Sequence, residues 1–275
     1  MLESVEKVME IATPDQSGIE MPESPARSRR YRRRPLKAWR HFRKLIANKE
    51  DTEQVFHIIQ ALNGKAVIKK FTAFKASEDG RERLKQKRDL PAILDDHARW
   101  EALEQGTLGR AYVDFMKREG LTAQGLVDEY EGFARQKNEE LDPDILWYGW
   151  RLRDTHDLCH VLTDYGRDAM GEACVLSFSY GQNRGLGVIF IAILASFEIR
   201  KRAPKGAPIF RAIWQGFSVG NKARKVARQD IIALMEEPLD VVRQRLGIKP
   251  PSYYPQIHAM FRAQGVDPYG VNATS

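Results

Sequence analysis

The segment from His156 to Glu172 reads HDLCHVLTDYGRDAMGE and contains the residue types best suited to chemistry in this chain. On a helix turning about 100° per residue, His156, Asp157 and His160 lie within one narrow arc, with the two imidazoles one turn apart. Glu172 would lie about 18 Å farther along a straight helix. It can join the histidines only if the chain reverses. We predict that reversal at 164–166, because a glycine tolerates the left-handed helix end.

Two imidazoles and two carboxylates are suited to zinc, and iron or manganese are reasonable alternatives. Histidines spaced four apart are also common in ordinary polar helices, so spacing alone leaves a metal site and a structural helix equally supported. The other histidines show no matching partners in the sequence, and we predict that they are unrelated to the chemistry: His41, His57, His97 and His258.

Neighbouring residues have two interpretations each. Arg153, Asp154 and Asp164 are either partners that orient the imidazoles or members of a solvated helix face. Cys159 is either a ligand or nucleophile, or a small buried residue. We favour burial, because helical geometry directs Cys159 away from the histidine pair.

Helix signals dominate the rest of the chain and predict an all-α fold with a single compact helical domain. Thr107 and Gly120 bound one predicted helix, and Asp142-Pro143 begins another that continues through His156. Alternation typical of strands is scarce. The remaining predicted helices are 51–63, 91–103, 171–182, 186–202, 209–216, 221–236 and 239–246.

Charge divides the chain into three predicted regions. Between Arg27 and Lys44 there are ten basic residues and no acid, although the whole chain carries only +7. Residues 1–26 are acidic and without periodicity, which predicts disorder. We therefore predict a disordered arm with an Arg-rich stretch over 1–35, a basic amphipathic helix over 36–48, and the helical domain over 50–275.

The basic helix predicts a peripheral membrane contact through residues 27–46. Its apolar side chains lie largely along one side, with basic residues over much of the remainder, as in helices that lie in a membrane interface. Nucleic-acid binding and a merely solvated tail are the alternatives, and nucleic acid is the least favoured. The apolar side comprises Leu36, Trp39, Phe42, Leu45 and Ile46.

Bulk features set the expected compartment. The two cysteines match neither a disulfide framework nor a paired-cysteine zinc site. The apolar run 186–197 is shorter than the roughly 20 residues that cross a bilayer. The N-terminal acids argue against a transit peptide, and no secretory signal is evident. We expect a cytoplasmic protein, peripheral to the inner membrane of a bacterium.

The pattern H-D-x-x-H, eleven residues, then E resembles the signature of the Coq-four family of ubiquinone (coenzyme Q) biosynthesis proteins. Two other segments resemble that family: TLGRAYVDFM at 107–116 and EPLDVVRQRLGIKPPSYY at 237–254. The similarity spans about residues 95–255. Leu158 stands where the family pattern leads us to expect an aromatic residue, a departure that leaves every candidate ligand in place.

The resemblance implies an all-α fold, a homodimer, and a divalent metal, zinc first, held by His156, Asp157, His160 and Glu172. It also implies a lyase activity: decarboxylation, in oxidative form, at the carboxyl-bearing ring carbon of a polyprenylated hydroxybenzoate. Other ubiquinone biosynthesis enzymes are then expected partners.

Two other functions stay open from the sequence. One is a non-catalytic scaffold that binds a prenyl lipid and organises other ubiquinone enzymes. The other is a zinc hydrolase. One feature argues against it: Asp157 is one methylene shorter than the usual catalytic glutamate. The apolar stretch Leu186–Phe197 is predicted to be a core helix, or the wall of a prenyl groove that 178–182 and 207–217 extend.

Overall fold

The computed structural model describes residues 33–48, 51–63, 66–125, 127–128 and 142–270. The predicted disorder of residues 1–26 and the first part of the Arg-rich stretch lie outside the described residues. Within them, the secondary structure is helical, and the only β-type pairing is an isolated bridge between Thr107 and Pro238. The predicted all-α class is confirmed.

Fifteen α-helices with assigned ends lie in the described part of the chain. A 3-10 turn, Val226–Arg228, lies between the twelfth and thirteenth of these helices. In chain order the helices are α1 Pro35–Ala47, α2 Thr52–Asn63, α3 Ala66–Ala76, α4 Glu78–Gln86, α5 Leu90–Leu94, α6 His97–Glu101, α7 Leu108–Glu119, α8 Pro143–Asp154, α9 His156–Thr163, α10 Ala169–Asn183, α11 Leu186–Arg202, α12 Ile209–Lys222, α13 Ile231–Met235, α14 Leu239–Leu246 and α15 Tyr253–Ala263.

The predicted capping residues do what their chemistry suggests. The Thr107 hydroxyl accepts a hydrogen bond from the backbone N–H of Arg110 at the start of α7, and Gly120 ends that helix with a φ of 67°. Asp142 caps α8, and Pro143 occupies its first turn. These ends form from local hydrogen bonds, which is why sequence could predict them.

Three predicted helices are interrupted. The helix predicted over 91–103 is two short ones, α5 and α6, because Asp96 caps a new helix. The helix predicted to continue through His156 ends two residues earlier, at Asp154, and the Thr155 hydroxyl donates to the carbonyl oxygen of Arg151. Most of the segment predicted as a helix over 221–236 is not α-helical. The backbone N–H of Val226 donates to the side-chain oxygen of Gln182 instead of to a helical carbonyl oxygen.

Other differences are extensions and omissions. The helix predicted over 209–216 continues to Lys222 as α12. The sequence interpretation did not include α3, α4 or α15, although Ser77 caps α4 by accepting a hydrogen bond from the backbone N–H of Gly80.

The main core lies between helices α5–α7, α9–α15 and the segments that join them. Trp100, Tyr112 and Phe178 are among its largest fully buried side chains. A second cluster joins α1, α2 and α11, and a third joins α3 and α8. Burial of these apolar side chains is the main favourable contribution to folding.

Helices α10 and α12 cross at close range because glycines line their contact. A Cβ added to Gly181 would lie 2.6 Å from the Phe217 carbonyl oxygen, and one added to Gly216 would lie 2.7 Å from the Cys174 carbonyl oxygen. At Gly220 an added Cβ would overlap the Phe178 carbonyl oxygen. The backbones therefore touch directly, and α10 is held rigidly along its length.

We predict that Gly220→Ala lowers the free energy of unfolding by about 2 kcal/mol or more, because the new methyl group overlaps backbone that cannot rotate away. Gly149→Ala in α8 is the matched control, since a Cβ there meets no atom within 4 Å. The control should be neutral or stabilising by up to about 1 kcal/mol. Urea unfolding of both variants measures the difference, and equal stability would contradict the packing described for the crossing.

Candidate metal centre

Helix α9 brings three candidate ligands together at its start. His156 is its first residue, and one ligand atom from each of His156, Asp157 and His160 lies within 4.8 Å of the other two. The junction between α8 and α9 at Thr155 does not separate the histidines, because both belong to α9. The predicted grouping of these three side chains is therefore present in the structure.

The predicted reversal follows α9 directly, with a different residue in the left-handed position. Asp164, with a φ of 60°, ends the helix, whereas Gly166 does not have a positive φ. A side chain at position 166 would instead meet the hydroxyl groups of Tyr269 and Tyr254, and an added Cβ would lie 2.7 Å from the Tyr254 oxygen, so those tyrosines would have to shift. Our assignment of the left-handed turn to Gly166 was wrong, although the reversal itself is confirmed.

After the reversal, Glu172 lies in the first turn of α10 and faces both histidines. Its Oε2 atom is 3.6 Å from His156 Nε2 and 3.5 Å from His160 Nε2. These distances exceed those of a good N–H to O hydrogen bond. They match the separation of about 3.4 Å between neighbouring ligands of a tetrahedral ion with bonds of about 2.1 Å. The residues therefore fit a shared divalent cation.

The histidine ring orientation also fits a ligand. His160 Nδ1 donates to the carbonyl oxygen of Tyr165 at 2.9 Å, because a carbonyl can only accept. Nε2 is then the unprotonated nitrogen of the neutral ring, and it is buried without a hydrogen-bond partner among the described residues. A backbone carbonyl on the second nitrogen is the usual partner of a metal-bound histidine.

The charges in the cluster reinforce one another. Burial opposes protonation of His160, but the negative charge of Glu172 outweighs it, so the pKa of His160 is raised above its ordinary value. Although desolvation would raise the pKa of Glu172, the two imidazoles hold that pKa well below its usual range. Glu172 is therefore a carboxylate at neutral pH. Arg167 Nε also donates to its other oxygen, at 3.3 Å.

The centre is closed on one side and open on the other. The His160 side chain is fully buried, whereas those of His156 and Glu172 are 25% and 32% exposed. Phe115 of α7 stacks on the His160 ring with 5.5 Å between ring centroids. The candidate centre is therefore open to solvent at His156 and Glu172.

Helix α15 clamps the loop that carries the reversal. Asp168 caps α10 by accepting hydrogen bonds from Met170 N and Gly171 N, and it also accepts the hydroxyl of Tyr254. The backbone N–H of Gly166 donates to the same hydroxyl at 3.0 Å. The loop between the histidine helix and the glutamate helix is thus fixed at both ends.

His258 has a partner that the sequence did not reveal. Its Nε2 lies 3.2 Å from the Asp168 carboxylate. His258 therefore packs beside the residue that caps α10, while its lack of a part in the chemistry stays a prediction. The spacing of Tyr254 and His258, one helical turn apart, was the available signal.

The three segments that resemble the Coq-four family meet in space. Leu108 N donates to the carbonyl oxygen of Glu237, and Leu239 N donates to that of Gly106. Arg243 donates to the carbonyl oxygens of Val161 and Leu162 in the last turn of α9. Segments 107–116 and 237–254 thus support the helix that carries both histidines.

The other flanking candidates do not enter the centre. Cys159 is buried, and burial raises its pKa to about 12, which keeps it a neutral thiol. Arg153 pairs with Asp154 at 2.6 Å, and both side chains are largely buried. Asp164 is exposed at the end of α9. The predicted burial of Cys159 is confirmed.

Helix α11 has one buried and one exposed face. Ile191, Ala192 and Ser196 are buried, so the predicted core role holds for one side. Ile193 and Phe197 are exposed, as are two side chains of α12, Phe210 and Trp214.

Comparison with known proteins identifies relatives of most of the helical region. Residues 44–252 match the family model for "Coenzyme Q (ubiquinone) biosynthesis protein Coq4". A mitochondrial ubiquinone biosynthesis protein COQ4 from Pyricularia oryzae is 30% identical over 183 residues, 65% of this chain and 56% of the relative. The rat mitochondrial COQ4 homolog is 26% identical over 179 residues, 64% of this chain and 63% of the relative. The chain thus spans less than two thirds of the length of either relative.

A solved structure shares the fold. The crystal structure of a candidate ubiquinone biosynthesis protein from Nostoc punctiforme PCC 73102 superposes with a TM-score of 0.59 and 20% identity. The superposition covers 78% of this chain and 99% of that one. At this identity the similarity concerns the fold alone.

We predict that Tyr254→Phe lowers the free energy of unfolding by about 1–3 kcal/mol, because it leaves the buried carboxylate of Asp168 and the N–H of Gly166 each short of a partner. Tyr253→Phe is the control, because no hydrogen bond involves the Tyr253 hydroxyl among the described residues. Calorimetric unfolding compares the two variants. A Tyr254 variant as stable as the Tyr253 variant would show that the clamp contributes little.

Proposed function

Because the chain belongs to the Coq4 family of coenzyme Q (ubiquinone) biosynthesis proteins, we propose that it is a metal-dependent decarboxylase in that biosynthesis. The proposed substrate is a polyprenylated hydroxybenzoate. The proposed ligands of the metal are His156, Asp157, His160 and Glu172. Zinc is the first choice for two imidazoles with carboxylates, and iron and manganese are alternatives.

One observation supports this proposal above all others. The buried Nε2 of His160 makes no hydrogen bond with any described residue, and it lies 3.5 Å from the Glu172 carboxylate. An unpartnered polar atom in a buried position costs free energy unless a ligand satisfies it. A cation between the two side chains would satisfy both.

The chain's own residues would prepare the site for the reaction. A bound divalent cation supplies Lewis-acid stabilisation of a carboxylate or phenolate oxygen. The Tyr165 carbonyl keeps the proton of His160 on Nδ1. Arg167, at the exposed edge beside Glu172, is suited to bind the substrate's anionic group. Phe115 and the buried side of His160 keep water from the closed side.

In the reaction, the bond between the ring carbon and the carboxyl carbon breaks, and carbon dioxide leaves. A proton replaces it in the simple form. In the oxidative form a hydroxyl replaces it, and a two-electron acceptor is also needed. Assays with and without oxygen distinguish these forms.

The exposed aromatic side chains of α11 and α12 are suited to a prenyl tail. Phe197 and Phe210 contact each other, with ring centroids 5.1 Å apart. Helices α10 and α11 are joined by two residues and run antiparallel, so Phe197 is at the same end of the pair as Glu172. A lipid lying along this surface would have its ring near the metal centre.

The same surface favours a second candidate function. Exposed aromatic residues on adjacent helices often bind lipid or protein partners without catalysis. The chain could then be a prenyl-lipid-binding scaffold for other ubiquinone enzymes, with a structural metal.

Helix α1 supports a peripheral membrane role, although only part of its apolar side is free. Phe42 is buried and packs edge-to-face on Phe190. Leu36 and Trp39 remain exposed, at 80% and 47%. They share the outer face with exposed Arg40 and Arg43. Aromatic and cationic side chains on one outer face suit an anionic membrane interface.

We predict about one divalent metal ion per chain in the purified protein, and release of carbon dioxide from a prenylated hydroxybenzoate. Glu172→Gln should weaken metal affinity by about 10-fold or more, because it removes a charged ligand, and should abolish product. Elemental analysis and product detection measure both properties.

Glu236→Gln, with an exposed side chain that pairs with Arg99, is the matched control and should behave as wild type. Equal metal content in all three proteins would remove the metal centre. Normal metal content without carbon dioxide release, while the prenyl lipid still binds, would favour the scaffold.

For the membrane contact, we predict that Leu36→Ser/Trp39→Ser sharply reduces co-sedimentation with anionic vesicles, because two apolar contacts with the interface are lost. Binding should also weaken as salt rises. Val241→Ser/Val266→Ser is the control, since both valines are exposed elsewhere. Unchanged sedimentation of the α1 variant would refute the contact.

A further inference from the structure

Four cationic side chains from three parts of the fold form a cluster far from the metal centre. Lys70 lies on α3, Arg184 follows α10 in the left-handed conformation, and Lys225 and Arg228 lie around the 3-10 turn. All four are partly buried. Their charges act on one another, because Arg184 and Arg228 affect the ionisation of both lysines.

Neutral oxygen atoms hold three of the four cations in position. Lys225 Nζ donates to the carbonyl oxygen of Gly181 at 3.1 Å. Arg228 donates to the carbonyl oxygen of Ala73 at 3.1 Å. Arg184 donates to the side-chain oxygen of Asn221 and lies against the rings of Tyr180 and Phe217. The cluster is therefore preorganised rather than a set of freely moving surface charges.

The cluster has no carboxylate partner within the described parts of the chain. None of its four members forms an ion pair with an aspartate or glutamate there, and the charges that shift the lysine pKa values are all positive. Arg83, a partly buried cation nearby in sequence to α3, instead pairs with Asp230 at 2.6 Å.

Helix ends account for only part of this charge. Ala73, Gly181 and Asn221 lie in the last turns of α3, α10 and α12. Each helix C-terminus carries the equivalent of about −0.5 charge, so the three ends offset roughly −1.5 of a total of +4. The remaining charge is positive and favours a bound anion.

We propose that Lys70, Arg184, Lys225 and Arg228 form a binding site for a phosphate group. Arginine forks and lysine ammonium groups together are the usual partners of phosphate oxygens. Along α10, Glu172 and Arg184 are separated by about 18 Å, so this site is distinct from the proposed metal centre. The phosphate belongs either to a soluble phosphate ester or to a lipid headgroup.

The ionisation of Lys225 agrees with an anion at this position. Burial, followed by the charges of Lys70, Arg184 and Arg228, lowers the pKa of Lys225 to about 8. A bound dianion would oppose that repulsion and keep the ammonium group charged.

The test is a titration with inorganic phosphate at constant ionic strength. Calorimetry measures the binding, and thermal unfolding measures the stabilisation by phosphate. The Lys70→Gln/Lys225→Gln protein should bind at least about 10-fold more weakly than wild type, because two charge-assisted contacts are lost. The control, Lys205→Gln/Lys249→Gln, removes the same charge from two exposed positions and should bind as wild type. It also corrects for the general stabilisation that phosphate gives to proteins.

Stability without phosphate separates a ligand site from simple helix capping. If the cations only cap helices, the Lys70/Lys225 variant unfolds at a lower temperature than the control. If the site is a ligand site, relief of repulsion leaves that variant at least as stable. Phosphate binding of equal strength in all three proteins would overturn the proposal.

Vesicles distinguish the two sources of phosphate. Phosphatidylcholine vesicles that contain phosphatidic acid present a phosphate monoester on a lipid, and vesicles of phosphatidylcholine alone are the control without it. If the Lys70/Lys225 variant loses binding to phosphatidic acid relative to the control, the headgroup is a ligand. If the Lys70/Lys225 variant loses binding to inorganic phosphate but not to phosphatidic acid, the ligand is a soluble phosphate ester.

Discussion

The buried carboxylate of Asp168 is the interaction on which the candidate metal centre depends. It accepts two backbone N–H groups of α10 and the hydroxyl of Tyr254, and it lies beside His258. A buried carboxylate is costly unless several donors satisfy it, and here they come from two distant parts of the chain. Because those donors fix the start of α10, they also fix Glu172 one turn later. Without them the two halves of the ligand set would not be held together.

The remaining architecture supports this junction from both sides. Arg243 binds the carbonyl oxygens at the end of α9, while the glycine-lined crossing with α12 holds α10 straight. The ligands therefore belong to two short helical ends, each anchored by long-range hydrogen bonds. Rigid support of this kind preorganises a metal site. Most of the domain contributes by immobilising these ends rather than by touching the site.

The sequence predicted the parts of this arrangement that depend on local geometry. Two histidines four residues apart must share a helix face, and a carboxylate twelve residues later requires a reversal. Capping by Thr107 and Asp142 is similarly local.

The helix ends created by tertiary contacts could not be predicted. Asp95 accepts hydrogen bonds from Ala123 N and Gln124 N, 28 and 29 residues away. The role of Gly166 is similar, since the crowding that a side chain would meet there comes from distant tyrosines.

The burial of both cysteines has a consequence for the durability of the protein under oxidation. Cys159 lies within the histidine segment, and its pKa of about 12 leaves a thiolate fraction of about 10⁻⁵ at neutral pH. Thiolate is the form that peroxides attack, so the Cys159 thiol is a poor target for oxidation. Cys174 is equally enclosed. For the described surface, a cysteine introduced by mutagenesis would therefore be the preferred target of a thiol-reactive probe, and the native pair could be left unchanged.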